Sequence, residues 1–140
     1  MLRGRRIAFD YGDVRIGVAV SDPDSIVCSP LTTLQAGDKR LDLKIAELLD
    51  EHEPLQIFVG RPALLSGNDG IATEKALAFA ERIRTLTQVS VEMIDERMST
   101  VSAARNLRES GKNAKESKSS IDMAAAVAIL EFALEIEKRK

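Results

Sequence analysis

The sequence predicts a layered α/β domain built on a mixed sheet, for three reasons. Residues 7–21 alternate bulky and small side chains on both sides of a tight turn, as a β-hairpin does. Residues 55–60, Leu55-Gln56-Ile57-Phe58-Val59-Gly60, are almost wholly apolar, as a parallel strand buried on both faces is. Around them, strand-like runs and amphipathic segments follow in the order strand-strand-strand-helix-strand-helix-strand-helix-helix, which implies an antiparallel start and then helical crossovers. A chain of 140 residues is expected to form one domain, residues 1–140, with a real core.

In the first strand Ile7, Phe9 and Tyr11 alternate with Ala8, Asp10 and Gly12. In the second, Ile16, Val18 and Val20 alternate with Arg15, Gly17, Ala19 and Ser21. Each strand thus has a bulky and a small face, and Asp10 stands on the small one. The small face (Ala8, Gly12, Gly17, Ala19) leaves room for a metal, a phosphate or a covering helix. A third strand is expected over Ile26 to Leu34, with Pro30 marking an edge strand or a bulge. Asp38 precedes an amphipathic helix, Leu41 to about His52, closed by Pro54. After the apolar strand, Gly60 to Gly70 reads as a loop and Ala72 to Leu86 as a second amphipathic helix. Val89 to Ile94 is the next strand, ending at Asp95-Glu96-Arg97. A third helix is expected from about Ser99 to Ser110, capped by Gly111. Lys112 to Lys118 reads as a polar, basic connection, and the last helix as about Ser120 to Lys138, packed on more than one side.

Composition removes several function classes. The net charge of −2 carries no global basic signal, so nucleic-acid contact requires a local patch. Cys28 is the sole cysteine, which excludes an intrachain disulfide and a cysteine-based zinc cluster. His52 is the sole histidine and closes a polar helix, a poor place for a catalytic base. No run of about 18 apolar residues exists, and the charged start is broken at Asp10, so neither a membrane span nor a signal peptide is expected and the location is cytoplasmic.

A carboxylate among apolar strand residues costs several kcal/mol, on the order of the burial penalty of an ion, unless a cation, donors or water compensate it. In open α/β sheets chemistry gathers at the carboxyl ends of the parallel strands. Asp10 lies near the end of the first strand, Glu96 just after the last, and Asp122 in the opening turn of the final helix. Three separated carboxylates around one point would suit a hard divalent cation that takes oxygen ligands and substrate phosphate oxygens. Two such ions can activate a water and stabilise the leaving oxygen of a phosphodiester displacement.

Asp10-Tyr11-Gly12, Arg15-Ile16-Gly17-Val18-Ala19-Val20-Ser21-Asp22 and Pro30-Leu31 closely resemble the opening of the YqgF/RuvX family of RNase H-like proteins. The resemblance continues through Val59-Gly60-Arg61-Pro62, the Gly67 to Gly70 turn, Asp95-Glu96-Arg97-Met98-Ser99-Thr100 and Asp122-Met123-Ala124-Ala125-Ala126, covering nearly the whole chain in order. It implies an RNase H-like three-layer fold with a mixed five-stranded sheet, its first three strands antiparallel and the rest joined by parallel crossovers, flanked by helices. It implies a metal-dependent nuclease maturing the 5′ end of pre-16S ribosomal RNA, using Mg²⁺ or Mn²⁺. The family was earlier assigned to Holliday-junction resolution because it looks like RuvC. The implied metal ligands and catalytic carboxylates are Asp10, Glu96 and Asp122, with Asp95 an adjacent candidate. Neighbours on an extended segment point oppositely, so one of that pair is expected to face the site. By the resemblance Arg97 and Thr100 would position phosphate or the carboxylates; Arg15, beside Asp10 in the hairpin, and Lys118, in the basic stretch, are the other candidate substrate contacts. Departures from the family pattern, Gly60-Arg61-Pro62-Ala63 where it commonly reads Gly-Leu-Pro-Leu and Asp13 where Thr or Ser is common, touch substrate contacts more than the chemistry.

Structural roles compete for each residue. Asp10 could cap the turn at Gly12, and Glu96 could pair with Arg97 or Arg105. Ser119-Ser120-Ile121-Asp122 fits a capping box, which would engage the Asp122 carboxylate at a helix start. Arg15 could hold a carboxylate or a phosphate, or form a structural salt bridge. Arg97, Arg105, Arg108, Lys112, Lys115 and Lys118 form the local basic excess, interleaved with Glu109 and Glu116. Backbone contacts there would make binding salt-dependent, and few aromatics argue against a stacking platform. The partners implied are precursor rRNA or branched DNA and ribosomal particles, with the protein a monomer or a homodimer. The competing functions are a junction resolvase, a non-catalytic nucleic-acid module, and an ATPase of the actin, sugar-kinase and heat-shock type. The last shares the Asp-x-Gly hairpin but requires a second, similar domain.

Overall fold

The computed structural model describes residues 2–61, 70–95 and 115–139, with side chains from residue 122 onward in the last stretch. Strands β1 (Arg6–Tyr11), β2 (Arg15–Ser21) and β3 (Cys28–Gln35) lead into helix α1 (Leu41–His52). Then come β4 (Gln56–Arg61), α2 (Ile71–Arg84), β5 (Ser90–Asp95) and α3 (Lys115–Arg139). The five strands form one sheet in the order β3-β2-β1-β4-β5. β1, β2 and β3 pair antiparallel, whereas β1–β4 and β4–β5 are parallel. The expected mixed sheet is therefore present. The residues expected to form a helix from about Ser99 to Ser110, and most of the Gly60–Gly70 loop, lie outside the described residues.

The two faces of the hairpin sort the core into two layers. Ile7, Phe9, Ile16 and Val18 pack with Leu41, Ile45 and Leu49 of α1 and Phe79, Ala80 and Ile83 of α2. On the other face Ala8, Ala19 and Phe58 meet Ala125, Ala126, Ile129, Leu130 and Ala133 of α3. Ile129 and Leu130 are fully buried, a contribution of about 1.5–3 kcal/mol each. Small residues on both sides let α3 come very close to the sheet. A Cβ on Gly17 would lie 2.1 Å from the carbonyl oxygen of Asp122, so only glycine fits. Of the occupants that the small face could take, the structure shows the covering helix.

β3 is an edge strand, and it also carries the bulge. Val18 is opposite Thr32 while Ala19 is opposite Pro30, leaving Leu31 as the extra residue beside the proline that cannot donate. The strand starts at Cys28 rather than Ile26 because Asp22 Oδ1 accepts hydrogen bonds from the Ile26 and Val27 amides at 2.7 and 2.9 Å. That turn holds Ser25 at a φ of 57°. Asp38 organises the entry to α1 as expected, its Oδ1 accepting from Arg40 N at 2.8 Å. The helix ends on Glu53 in the left-handed region, ahead of Pro54.

One boundary differs in a way that bears on the site. α3 begins at Lys115, not near Ser120, so residues 115–118 are helix rather than connection. Lys and Glu favour helix and the Ser pair does not break it once the apolar face that follows is buried. Asp122 therefore stands two turns inside the helix, and the capping box at Ser119 does not exist.

Candidate metal and phosphodiester site

The site is built where β1, β2 and α3 meet. Pleat alternation puts Asp10 on the α3 face with Ala8, and Asp10 is opposite Gly17 on β2. Because Gly17 has no side chain, the backbone of Asp122 rests directly on it. One glycine thus brings acids from the two ends of the chain to the same spot. Asp10 is 3% exposed and Asp122 1%. With its capping role removed, the Asp122 carboxylate has a different partner: Arg15 Nε donates to its Oδ2 at 2.7 Å. Arg15 lies two residues before Gly17 on the same face of β2, and its side chain keeps 27% exposure. Of the roles open to Arg15, the structure shows it holding a carboxylate.

Beside this pair lies a cavity of about 170 Å³ lined by Gly12, Asp13, Val14, Arg15 and Asp122. Gly12 is required there, since a Cβ would meet the Arg15 carbonyl oxygen at 2.6 Å. Lys75 of α2 reaches across to Asp13, Nζ to Oδ1 2.9 Å. That hydrogen bond raises the Lys75 ammonium above its ordinary pKa. No sequence signal pointed to Lys75, because its partner is far along the chain and on another element.

Asp95 ends β5 in register with Arg61. Its face follows from its neighbours: Val91 and Met93 pack on the α1/α2 side and Ile94 on the α3 side. Alternation therefore turns Asp95 toward the α1/α2 side, away from the face of Asp10 and Asp122. Glu96, Arg97 and Thr100 lie outside the described residues, and Lys118 is placed only as a backbone position in α3. His52 closes α1 on the opposite layer. Among the described residues no three His, Cys, Asp or Glu side chains form a metal-holding group. The described donors are two buried carboxylates on one face. Their all-oxygen chemistry fits a hard divalent ion and does not fit a soft one.

A family model described as RuvX, Holliday junction resolvase, matches residues 4–136. The chain belongs to the RuvX family. A RuvX relative from Streptomyces avermitilis is 45% identical over 140 residues, covering 99% of this chain and 90% of the relative. One from Nocardia farcinica is 46% identical over 137 residues, covering 92% and 76%. Both are named as candidate pre-16S rRNA nucleases. Among solved structures, Thermus thermophilus RuvC in complex with a Holliday junction substrate superposes with a TM-score of 0.63 at 15% identity, over 96% of each chain. That likeness places this RuvX chain in the RNase H-like fold. No helix among the described residues is long and apolar enough to cross a membrane.

Proposed function

We propose that this RuvX protein is a metal-dependent nuclease that hydrolyses phosphodiester bonds in structured RNA, processing the 5′ end of pre-16S rRNA during ribosome assembly. The observation that carries the reading is the meeting of two buried aspartates, Asp10 and Asp122, on one face of the sheet across Gly17. Two acids kept from water on a shared face are costly and are retained where a cation is to be held. The relatives named as candidate pre-16S rRNA nucleases support the choice of RNA.

In this reading Asp10, Asp122 and Glu96 hold Mg²⁺ or Mn²⁺. Asp95 faces the other layer, which leaves Glu96 as the acid of that pair suited to the site. When bound, the ion supplies activation of water and charge stabilisation at the scissile phosphate. The protein supplies rigidity. Asp10 is fixed on a central strand bonded on both sides, and Asp122 is fixed by the seat of its backbone on Gly17 and by Arg15. Arg15, Arg97, Thr100 and Lys118 bind the nucleic-acid backbone.

The test is cleavage of an RNA bearing the 16S precursor 5′ leader and of a four-way DNA junction, with Mg²⁺ or Mn²⁺. The wild type is expected to cut the leader RNA, and Asp10→Asn to lose about a hundredfold or more, beyond what outer-shell changes cost metal enzymes. Equal rates for the two proteins would remove Asp10 from the chemistry. Faster cutting of the junction than of the leader would move the substrate to branched DNA.

A further inference from the structure

We infer that the cavity at the β1–β2 turn is a subsite for a backbone phosphate of the substrate strand, with Arg15 as its cation. The inference rests on the nuclease reading for the identity of the strand and goes beyond it in assigning where a second phosphate is held. Arg15 spends only Nε on Asp122. Neither terminal nitrogen has a hydrogen-bond partner among the described residues, so a fork of donors remains on a guanidinium whose orientation is already set. A preset fork suits the oxygens of a phosphodiester better than a free side chain does, because less rotamer freedom is lost on binding.

The surroundings agree with an anion. The cavity of about 170 Å³ is several times the ~30 Å³ share of one water and is open to solvent beside Val14, itself 61% exposed. Two carboxylates line it; Lys75 holds that of Asp13 in an ion pair, so the ammonium offsets its charge at the rim. The Asp122 carboxylate is offset by Arg15 itself. Gly12 lets the turn close without a side chain in the way. Arg15 is bonded to Asp122, so the cavity adjoins the place where the reacting phosphate would lie in that reading.

The test is binding of a short fluorescein-labelled single-stranded RNA by anisotropy in EDTA, across a range of salt. Three full-length proteins are compared: wild type, Asp122→Asn, and Arg15→Gln with Asp122→Asn. The double variant leaves no lone buried charge, and a thermal melt of each confirms that it is folded. Asp122→Asn keeps Arg15 and is expected to bind at least as tightly as wild type. The double variant is expected to bind roughly threefold or more weakly than Asp122→Asn, with a log Kd against log salt slope smaller by about 0.7, the share of one phosphate contact on a single strand. Equal affinity and slope in Asp122→Asn and the double variant would overturn the subsite, even if the wild type cuts RNA. Loss of affinity and slope in a protein that never cuts RNA would keep the subsite and overturn the nuclease reading instead.

Discussion

At the scale of single residues, burial sets what each polar group can do. Asp122, at 1% exposure, would be among the most destabilising groups in the molecule without a cation. Arg15 offsets that cost while remaining partly solvated, so breaking the pair costs less than the ~3–5 kcal/mol of a fully buried one. Cys28 shows the opposite outcome for a nucleophile. Desolvation, with the Glu131 charge adding to it, pushes the thiol from 9.0 to about 11. Cys28 is therefore protonated at neutral pH, and maleimide or disulfide reagents at pH 8 are expected to label it about a hundredfold more slowly than a free cysteine peptide, since the thiolate is the reactive form. The sign for stability follows. The folded-state pKa is raised, so the contribution is fully present below pH 9 and is lost as pH rises toward 11. Cys28→Ser is expected to lack that alkaline loss. Labelling at the rate of the free peptide would show that the thiol is not shielded.

At the scale of elements, the decisive contact is α3 against β2. At Gly17 a methyl group would strike the main chain of another element rather than a flexible side chain, at 2.1 Å from Asp122 O and 2.6 Å from its carbonyl carbon. Gly17→Ala is expected to lower stability by about 3 kcal/mol or more, the upper end for overpacking, because backbone cannot rotate away. Since the same shift displaces Asp122, cleavage should fall as well, and urea unfolding with parallel rate measurements separates the two losses. A variant as stable as wild type would mean that the helix has room to move. Much of this element was legible in the residues. The small face of Ala8, Gly17 and Ala19 announced a close neighbour, and the apolar run after Asp122 announced a helix buried on several sides. Its start was not legible. Ser119 and Asp122 have capping-box spacing, but a local cap signal is worth about 1 kcal/mol, less than the packing that a long apolar helix face supplies, and the helix runs on to Lys115. Pro30 was read correctly because its missing donor admits few places in a sheet, and it occupies two of them at once, edge and bulge.

At the scale of the whole molecule, the site joins the first strand to the last helix, so holding an ion there ties the two ends of the fold together. The convergence of Asp10 and Asp122 could be expected only from the order of motifs, since spacing along the chain says nothing about which strand a distant helix covers. Arg15 and Lys75 belong to the same limit: their partners are fixed by topology, not by neighbouring sequence. This closure gives a thermodynamic prediction independent of catalysis. An ion that binds the folded site and not the unfolded chain stabilises by RT ln(1 + [L]/Kd), about 2.7 kcal/mol at a hundred times Kd. Adding Mn²⁺ or Mg²⁺ to EDTA-treated protein is therefore expected to raise the melting temperature with ion concentration, by several degrees at saturation for a domain of this size. Asp10→Asn removes a ligand, so it should gain little from the ion. Equal gains in both proteins would place the ion away from Asp10. A gain in wild type alone would tie the ion to Asp10 even before a substrate is found.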